Sequence, residues 1–149
     1  MAHPQLMPCK KFEVLLVEDN PGDIRLIQEA FKEGDVFSHL NIARDGEQAM
    51  AYLRQEGAYS NSPRPAFILL DLNLPRKDGR EVLAEIKGDS TLRQIPVVIL
   101  STSTNVEDVR RAYDLHANCY VPKPFDVDRL GQLGRTLEEF WLNTVLLPV

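Results

Sequence analysis

Cysteine is scarce in this sequence: Cys9 and Cys119 are the only two among 149 residues, far apart and in no CxxC pair. A disulfide framework or zinc site therefore has little to build on, and both residues are expected to be reduced thiols. Long apolar runs are missing as well. AFILL at 66–70 and PVVIL at 96–100 fall far short of the roughly 18 residues a membrane span needs. Residues 1–11 contain Pro4, Pro8, Lys10 and Lys11 but no apolar centre of the kind a signal peptide carries. The chain is thus expected in the cytoplasm, with no membrane partner. Positive charge is not in excess either: 17 Lys and Arg stand against 22 Asp and Glu, for a net charge of -5. Nucleic-acid backbones are bound by clustered Lys and Arg, so nucleic acid is not an expected partner. Neither GxxxxGK followed by Ser or Thr nor GxGxxG occurs, which removes the two common phosphate-cradling loops.

What is present fits one globular domain over residues 1–149. Its length suits a single well-buried core, and an apolar share of 44% with 26% charged residues argues against disorder. FEVLLV at 12–17, AFILL at 66–70 and PVVIL at 96–100 are short, almost unbroken apolar runs, as in strands covered on both faces. Residues 39–43 and 119–121 offer two more strands. Helical stripes lie between them: Ile24, Ile27 and Phe31; Ala49, Tyr52 and Leu53; Val82, Leu83 and Ile86. Pro21 suits a first helical turn, and Asp45 with Gln48 and Thr104 with Glu107 resemble capping boxes. Five strand–helix pairs predict an α/β fold, a doubly wound five-stranded parallel sheet with helices on both faces; a barrel would need about eight units.

In open sheets of this kind the ligand site lies beyond the carboxyl ends of the strands. Glu18 and Asp19 follow the first run, Asp71 the third, Ser101 the fourth, and Lys123 comes just after the fifth. An Asp after a strand is, taken singly, usually a turn former or helix cap. The convergence is what points to chemistry. Two unit charges about 4 Å apart repel by roughly 4 kcal/mol at an effective dielectric near 20, so three clustered carboxylates call for a cation. The donors are all oxygens, which suits Mg²⁺ better than zinc. A carboxylate such as Asp71 can act as a nucleophile toward phosphorus, with Lys123 and the metal neutralising charge. Ser101 is placed to hydrogen-bond a phosphoryl oxygen and to report its arrival.

Four strings, in order, resemble bacterial response-regulator receivers: VEDN with Glu18 and Asp19, DLNLPRKDG at 71–79, VVILSTS with Ser101 and Thr102, and YVPKPF with Tyr120 and Lys123. The acceptor Asp is followed by Pro at its fourth position and Gly at its eighth, and the resemblance spans about residues 12–137, leaving a short N-terminal arm and a C-terminal helix and tail. It implies the flavodoxin-like receiver fold, phosphorylation of Asp71, and direct Mg²⁺ binding by Asp19 and Asp71. It also implies that Glu18 acts mainly through water, that Asn73 contributes its backbone carbonyl, and that the bond from Lys123 to Pro124 is cis. Ser101, Thr102, Lys123 and Tyr120 form the implied phosphate-binding and switch set, Tyr120 being the aromatic that swings inward. More narrowly, NSPRPAFILLDLNLP, DGREVLAEIK, LHANCY and FWLNTVLLP are similar to response regulators of cyanobacterial phytochromes. That implies a light-sensing histidine kinase as phosphate donor, no bilin on this chain, and dimers.

One departure stands out: His116 and Ala117 replace the Gly-Ala that receivers usually carry before the fifth strand, so His116 is expected in a left-handed helix cap that Gly fits better. His3 and His39 lack partners at ligand spacing. A haloacid-dehalogenase-type phosphatase would need a second acid two positions after Asp71, and Asn73 cannot transfer a proton. A receiver fold kept only as a phosphorylation-independent binding module is the other alternative. The 26 residues after Lys123 suffice for a helix and tail rather than a DNA-binding domain, so output is expected through an unidentified downstream protein. Among them Phe140, Trp141, Leu142, Val145, Leu146 and Leu147 are apolar almost all round a helix, and the expectation is a homodimer with Phe140, Trp141, Val145 and Leu146 at its interface.

Overall fold

Ten main elements alternate strictly along the chain in the computed structural model, which describes residues 12–33, 39–123 and 126–140. They are β1 (Glu13–Val17), α1 (Pro21–Glu33), β2 (His39–Ala43), α2 (Gly46–Leu53), β3 (Phe67–Asp71), α3 (Gly79–Gly88), β4 (Val97–Ser101), α4 (Val106–Asp114), β5 (Cys119–Pro122) and α5 (Val127–Leu137). A 3-10 turn, Gly57–Tyr59, follows α2. The strands form one parallel sheet in the order β2-β1-β3-β4-β5.

Strand periodicity explains the continuous apolar runs. Val14 and Leu16 of β1, Phe67 and Leu69 of β3, and Val98 and Leu100 of β4 pack with Ile24, Ile27 and Phe31 of α1 and with Leu130 and Leu137 of α5. Leu15, Val17, Ile68, Leu70 and Ile99 point the other way, against Ala49, Tyr52 and Leu53 of α2, Val82, Leu83 and Ile86 of α3, and Ala112 of α4. Both faces are buried, so the middle of each of these three strands is apolar throughout. The three helical stripes read from the sequence are all in these clusters.

Boundaries differ from the sequence reading at informative places. Asp71 and Ser101 are the last residues of their strands, paired to Leu100 and Pro122 in the ladder, rather than the first residues after them. The Asp45 side chain caps α2 as expected, accepting from the Gln48 amide, but Gln48 Oε1 accepts from Arg44 N rather than closing a box on Asp45. α4 begins one residue later than the Thr104 reading: Asn105 is its cap, accepting from Glu107 N at 2.8 Å. Asn is the stronger cap, and Ser103 Oγ accepts the Asn105 amide, which fixes the entry. Among the described residues a reciprocal box forms at Asp78 and Glu81, opening α3.

His116 adopts φ 71°, as its sequence position led us to expect. Its amide donates to Tyr113 O and the Ala117 amide to Ala112 O, the paired bonds of a Schellman cap. Cys119 is a free, half-buried thiol whose pKa burial pushes up. His39 Nδ1 lies 2.9 Å from Glu13 Oε1, a local pairing far from the strand carboxyl ends. Cys9, His3, the bond to Pro124, and the tail residues Trp141, Leu142, Val145, Leu146 and Leu147 lie outside the described residues.

Candidate functional site at the carboxyl edge of the sheet

The strand order reverses direction between β1 and β3, and the crevice at such a switch point is where open α/β sheets bind ligands. Glu18 and Asp19 leave β1 on one side of it; Asp71 ends β3 on the other. A carboxylate oxygen from each of these three lies within 4.8 Å of the others. Glu18 is fully buried, Asp71 is 5% exposed, and Asp19 opens to solvent. Lys123, just past β5, reaches back over the sheet end with its side chain 7% exposed.

The lysine binds the cluster together. Its Nζ donates to Glu18 Oε1 at 2.7 Å and to Asp23 Oδ2 at 2.8 Å, and stands 3.7 Å from Asp71 Oδ2. Burial by itself lowers the lysine's pKa, but the bonds to Asp23 and Glu18 and the charge of Asp71 outweigh it, and the net direction is up. Burial, with the neighbouring Asp71 carboxylate adding to it, pushes Glu18 up to about 7 against the opposing pull of Lys123. A carboxyl displaced so far, in a cluster at a strand switch point, makes this edge the candidate functional site. The donor set fits a hard divalent cation: three carboxylates in reach, with no thiolate or imidazole in the cluster. Asn73 is exposed beside it, and its amide donates to Asp71 Oδ1 at 3.3 Å.

The loop after Asp71 is held against β3 by a close approach that only glycine permits. Gly79 N donates to Leu72 O, and a Cβ at Gly79 would lie 2.3 Å from Asp71 O and 2.5 Å from Leu72 Cα. This is why the eighth position after Asp71 is Gly.

On the fourth strand, Ser101 is buried and its Oγ accepts from Ser103 N at 3.1 Å, while Thr102 is exposed. Tyr120 is half-buried and its hydroxyl donates to Ser103 O at 2.8 Å. The fold brings Glu18, Asp19, Asp71, Ser101 and Lys123 to one edge, and beside them it sets Asp23 and Ser103, which the sequence did not single out. Asp23 lies two positions past Pro21, in the first turn of α1; an acid so near a helix start reads as a helix-dipole partner, and nothing local signals the lysine. Phe140 is described and exposed, far along the chain from this edge.

A carboxylate triad and a buried lysine at the switch point of a 2-1-3-4-5 sheet define the receiver class of signalling domain. The chain belongs to the response regulator receiver domain family, whose model matches residues 14–134. It is 55% identical over 135 residues to response regulator Rcp1 of Synechocystis sp. (strain ATCC 27184 / PCC 6803 / Kazusa), covering 91% of this chain and 92% of that one. Among solved structures it is similar to the phosphorylated cyanobacterial phytochrome response regulator RcpA, with a TM-score of 0.85, 57% identity, and coverage of 94% of this chain and 100% of that one. It is also similar to the Mn(2+)-bound form of response regulator Rcp1, with a TM-score of 0.81, 54% identity, and coverage of 93% and 99%. It is a phosphorelay signalling domain rather than a metabolic enzyme. The match to response regulators does not favour the phosphorylation-independent binding module.

Proposed function

We propose that this chain, as a single receiver unit centred on residues 12–137, is a phosphorylation switch whose acceptor is Asp71, charged by a sensor histidine kinase of the cyanobacterial phytochrome kind. The observation that carries the reading is the placement of one buried carboxylate, Asp71, within an acidic triad and 3.7 Å from the Lys123 ammonium. An Asp71 oxygen attacks phosphorus; the new P–O bond forms as the P–N bond to the donor imidazole breaks, and the imidazole takes up a proton as it leaves. An acyl phosphate on Asp71 results. Asp19 and Asp71 would hold Mg²⁺ directly, with Glu18 acting through water and Asn73 through its carbonyl, and the ion would supply neutralisation of charge on the transferring group.

Lys123 provides a fixed positive charge on the opposite side, and Ser101 turns its hydroxyl from the Ser103 amide toward a phosphoryl oxygen. Tyr120 and the loop carried by Ser103 follow, and Thr102 flanks the moving hydroxyl. Phosphorylation of RcpA and metal binding by Rcp1 support the reading by similarity. The chain works in the cytoplasm, in contact with a kinase and a downstream protein rather than with nucleic acid or membrane. It pairs as a homodimer through Phe140, Trp141, Val145 and Leu146.

Incubation of the full chain with Mg²⁺ and a small phosphodonor tests the chemistry: one acid-stable, base-labile adduct is expected by mass, on the peptide carrying Asp71. An unmodified mass under conditions that label other receivers would sink the reading. Transfer from purified phosphorylated kinases then identifies the donor. Sedimentation of the full chain at tens of micromolar, with and without a phosphate mimic, decides the dimer, and a monomer in both would remove it.

A further inference from the structure

Lys123 has two carboxylate partners at hydrogen-bond distance, and the acceptor aspartate is neither of them. The ammonium carries three protons; one goes to Glu18 Oε1 at 2.7 Å and one to Asp23 Oδ2 at 2.8 Å, while Asp71 Oδ2 at 3.7 Å is beyond hydrogen-bond reach. Asp23 stands outside the triad of Glu18, Asp19 and Asp71 that can share a cation. It belongs to the lysine. Its place is set by α1, where the Asp23 amide donates to Asn20 Oδ1 at 3.0 Å and Ile24 N to Asn20 O.

Building on the phosphoryl-switch reading, we propose that Asp23 is a positioning residue: a counter-ion that keeps the Lys123 ammonium in its resting place and competes for it with the phosphoryl group. The two bonds are unequal. Glu18 is fully buried, whereas the Asp23 side chain is 32% exposed, so the Asp23 pair sits in the higher effective dielectric and is the weaker attachment. Lys123 itself is 7% exposed, so an ammonium leaving Asp23 stays largely shielded from bulk water and turns toward a nearby anion. The phosphoryl group on Asp71 is that anion. Asp23 thus restrains engagement of the lysine by the phosphoryl group.

A double-mutant cycle on the full chain tests this, with beryllium trifluoride as the phosphate mimic at saturating Mg²⁺. Asp23→Asn is expected to tighten mimic binding about three- to tenfold in the wild-type background and to leave it unchanged in Lys123→Ala, because the effect runs through the lysine. Asp23→Glu, which retains the charge and can still reach Nζ, is expected to restore wild-type affinity. Unchanged or weaker binding in Asp23→Asn would overturn the proposal, as would an equal gain in the Lys123→Ala background, which would mean a general charge effect. If the wild-type chain binds no mimic, the phosphoryl-switch reading falls and this proposal with it; binding without coupling between the two positions overturns this proposal alone.

Discussion

The Ser103 amide donates to the Ser101 hydroxyl oxygen across 3.1 Å, and this one residue joins the end of β4 to both Tyr120 of β5 and α4. The Ser103 carbonyl accepts from Tyr120 OH at 2.8 Å, and the Ser103 hydroxyl donates to Asp108 Oδ2 at 2.6 Å. Asp108 in turn lies 3.7 Å from Arg80 Nη2 on α3. On the proposed switch, Ser101 turning toward phosphate would give up the Ser103 amide, and with it one anchor of the loop whose carbonyl holds Tyr120. Ser103→Ala removes the bond to a charged acceptor and is expected to destabilise the chain by about 1–2 kcal/mol. Amide exchange across 103–108 should accelerate. Unchanged exchange there would mean the loop is held by other contacts.

Asp71→Asn is expected to abolish phosphate uptake while leaving the fold intact. Asn keeps an oxygen that can accept the Asn73 amide, lacks the nucleophilic carboxylate, and removes one of three crowded charges. Its melting temperature without metal should equal or exceed that of the wild type. Phosphate uptake at the wild-type rate would contradict the assignment.

Asp19→Ala and Lys123→Ala should separate metal binding from signalling. Removal of Asp19 takes away one of the three oxygens within 4.8 Å and is expected to weaken Mg²⁺ binding severely. Removal of Lys123 leaves the triad and should retain the metal while losing the response of Tyr120 to phosphate. Titration of Mg²⁺ into both variants is the measurement, and equal loss of affinity would overturn the division of roles.

The raised pKa of Glu18 predicts a pH dependence of the metal-free chain. The carboxyl rises from 4.5 to about 7 on folding, mainly through burial. Between those values the folded chain keeps a proton that the unfolded chain has released, so stability falls as pH rises through the window. The contribution is fully present below 4.5 and lost above about 7. Glu18→Gln cannot lose that proton. The difference in melting temperature, variant minus wild type, should therefore increase from about pH 5 to about pH 8, and saturating Mg²⁺ should flatten it. A constant difference in metal-free buffer would show that Glu18 does not carry the effect.

His116→Gly is expected to stabilise the chain by about 0.5–1 kcal/mol, the left-handed strain relieved outweighing the added freedom of the unfolded chain. The position has φ 71° and both Schellman bonds are in place, so the backbone need not move. Urea unfolding reads the change. Tyr52→Phe, by contrast, should be neutral or slightly stabilising, because its buried hydroxyl has no hydrogen-bond partner among the described residues.

Most of the architecture was legible because its signals are local. The runs at 12–17, 66–70 and 96–100 announce strands buried on both faces, and Ile24, Ile27 and Phe31 announce a helix stripe, since each pattern follows the period of its own backbone. Glu18, Asp19, Asp71, Ser101 and Lys123 were legible one step later, because parallel strands must all present their carboxyl ends at the same edge. Capping was less so: Thr104 and Asn105 are adjacent candidates, and the Ser103 hydroxyl decided between them by accepting the Asn105 amide. Only the tertiary structure could decide what Lys123 holds at rest. Its partners lie 105 and 100 positions away, at Glu18 and Asp23, and the acceptor Asp71 is left just out of reach. Such pairings depend on angstrom-scale placement of α1 against the end of β5 and on which carboxylate is least hydrated, and neither has a local pattern in the chain.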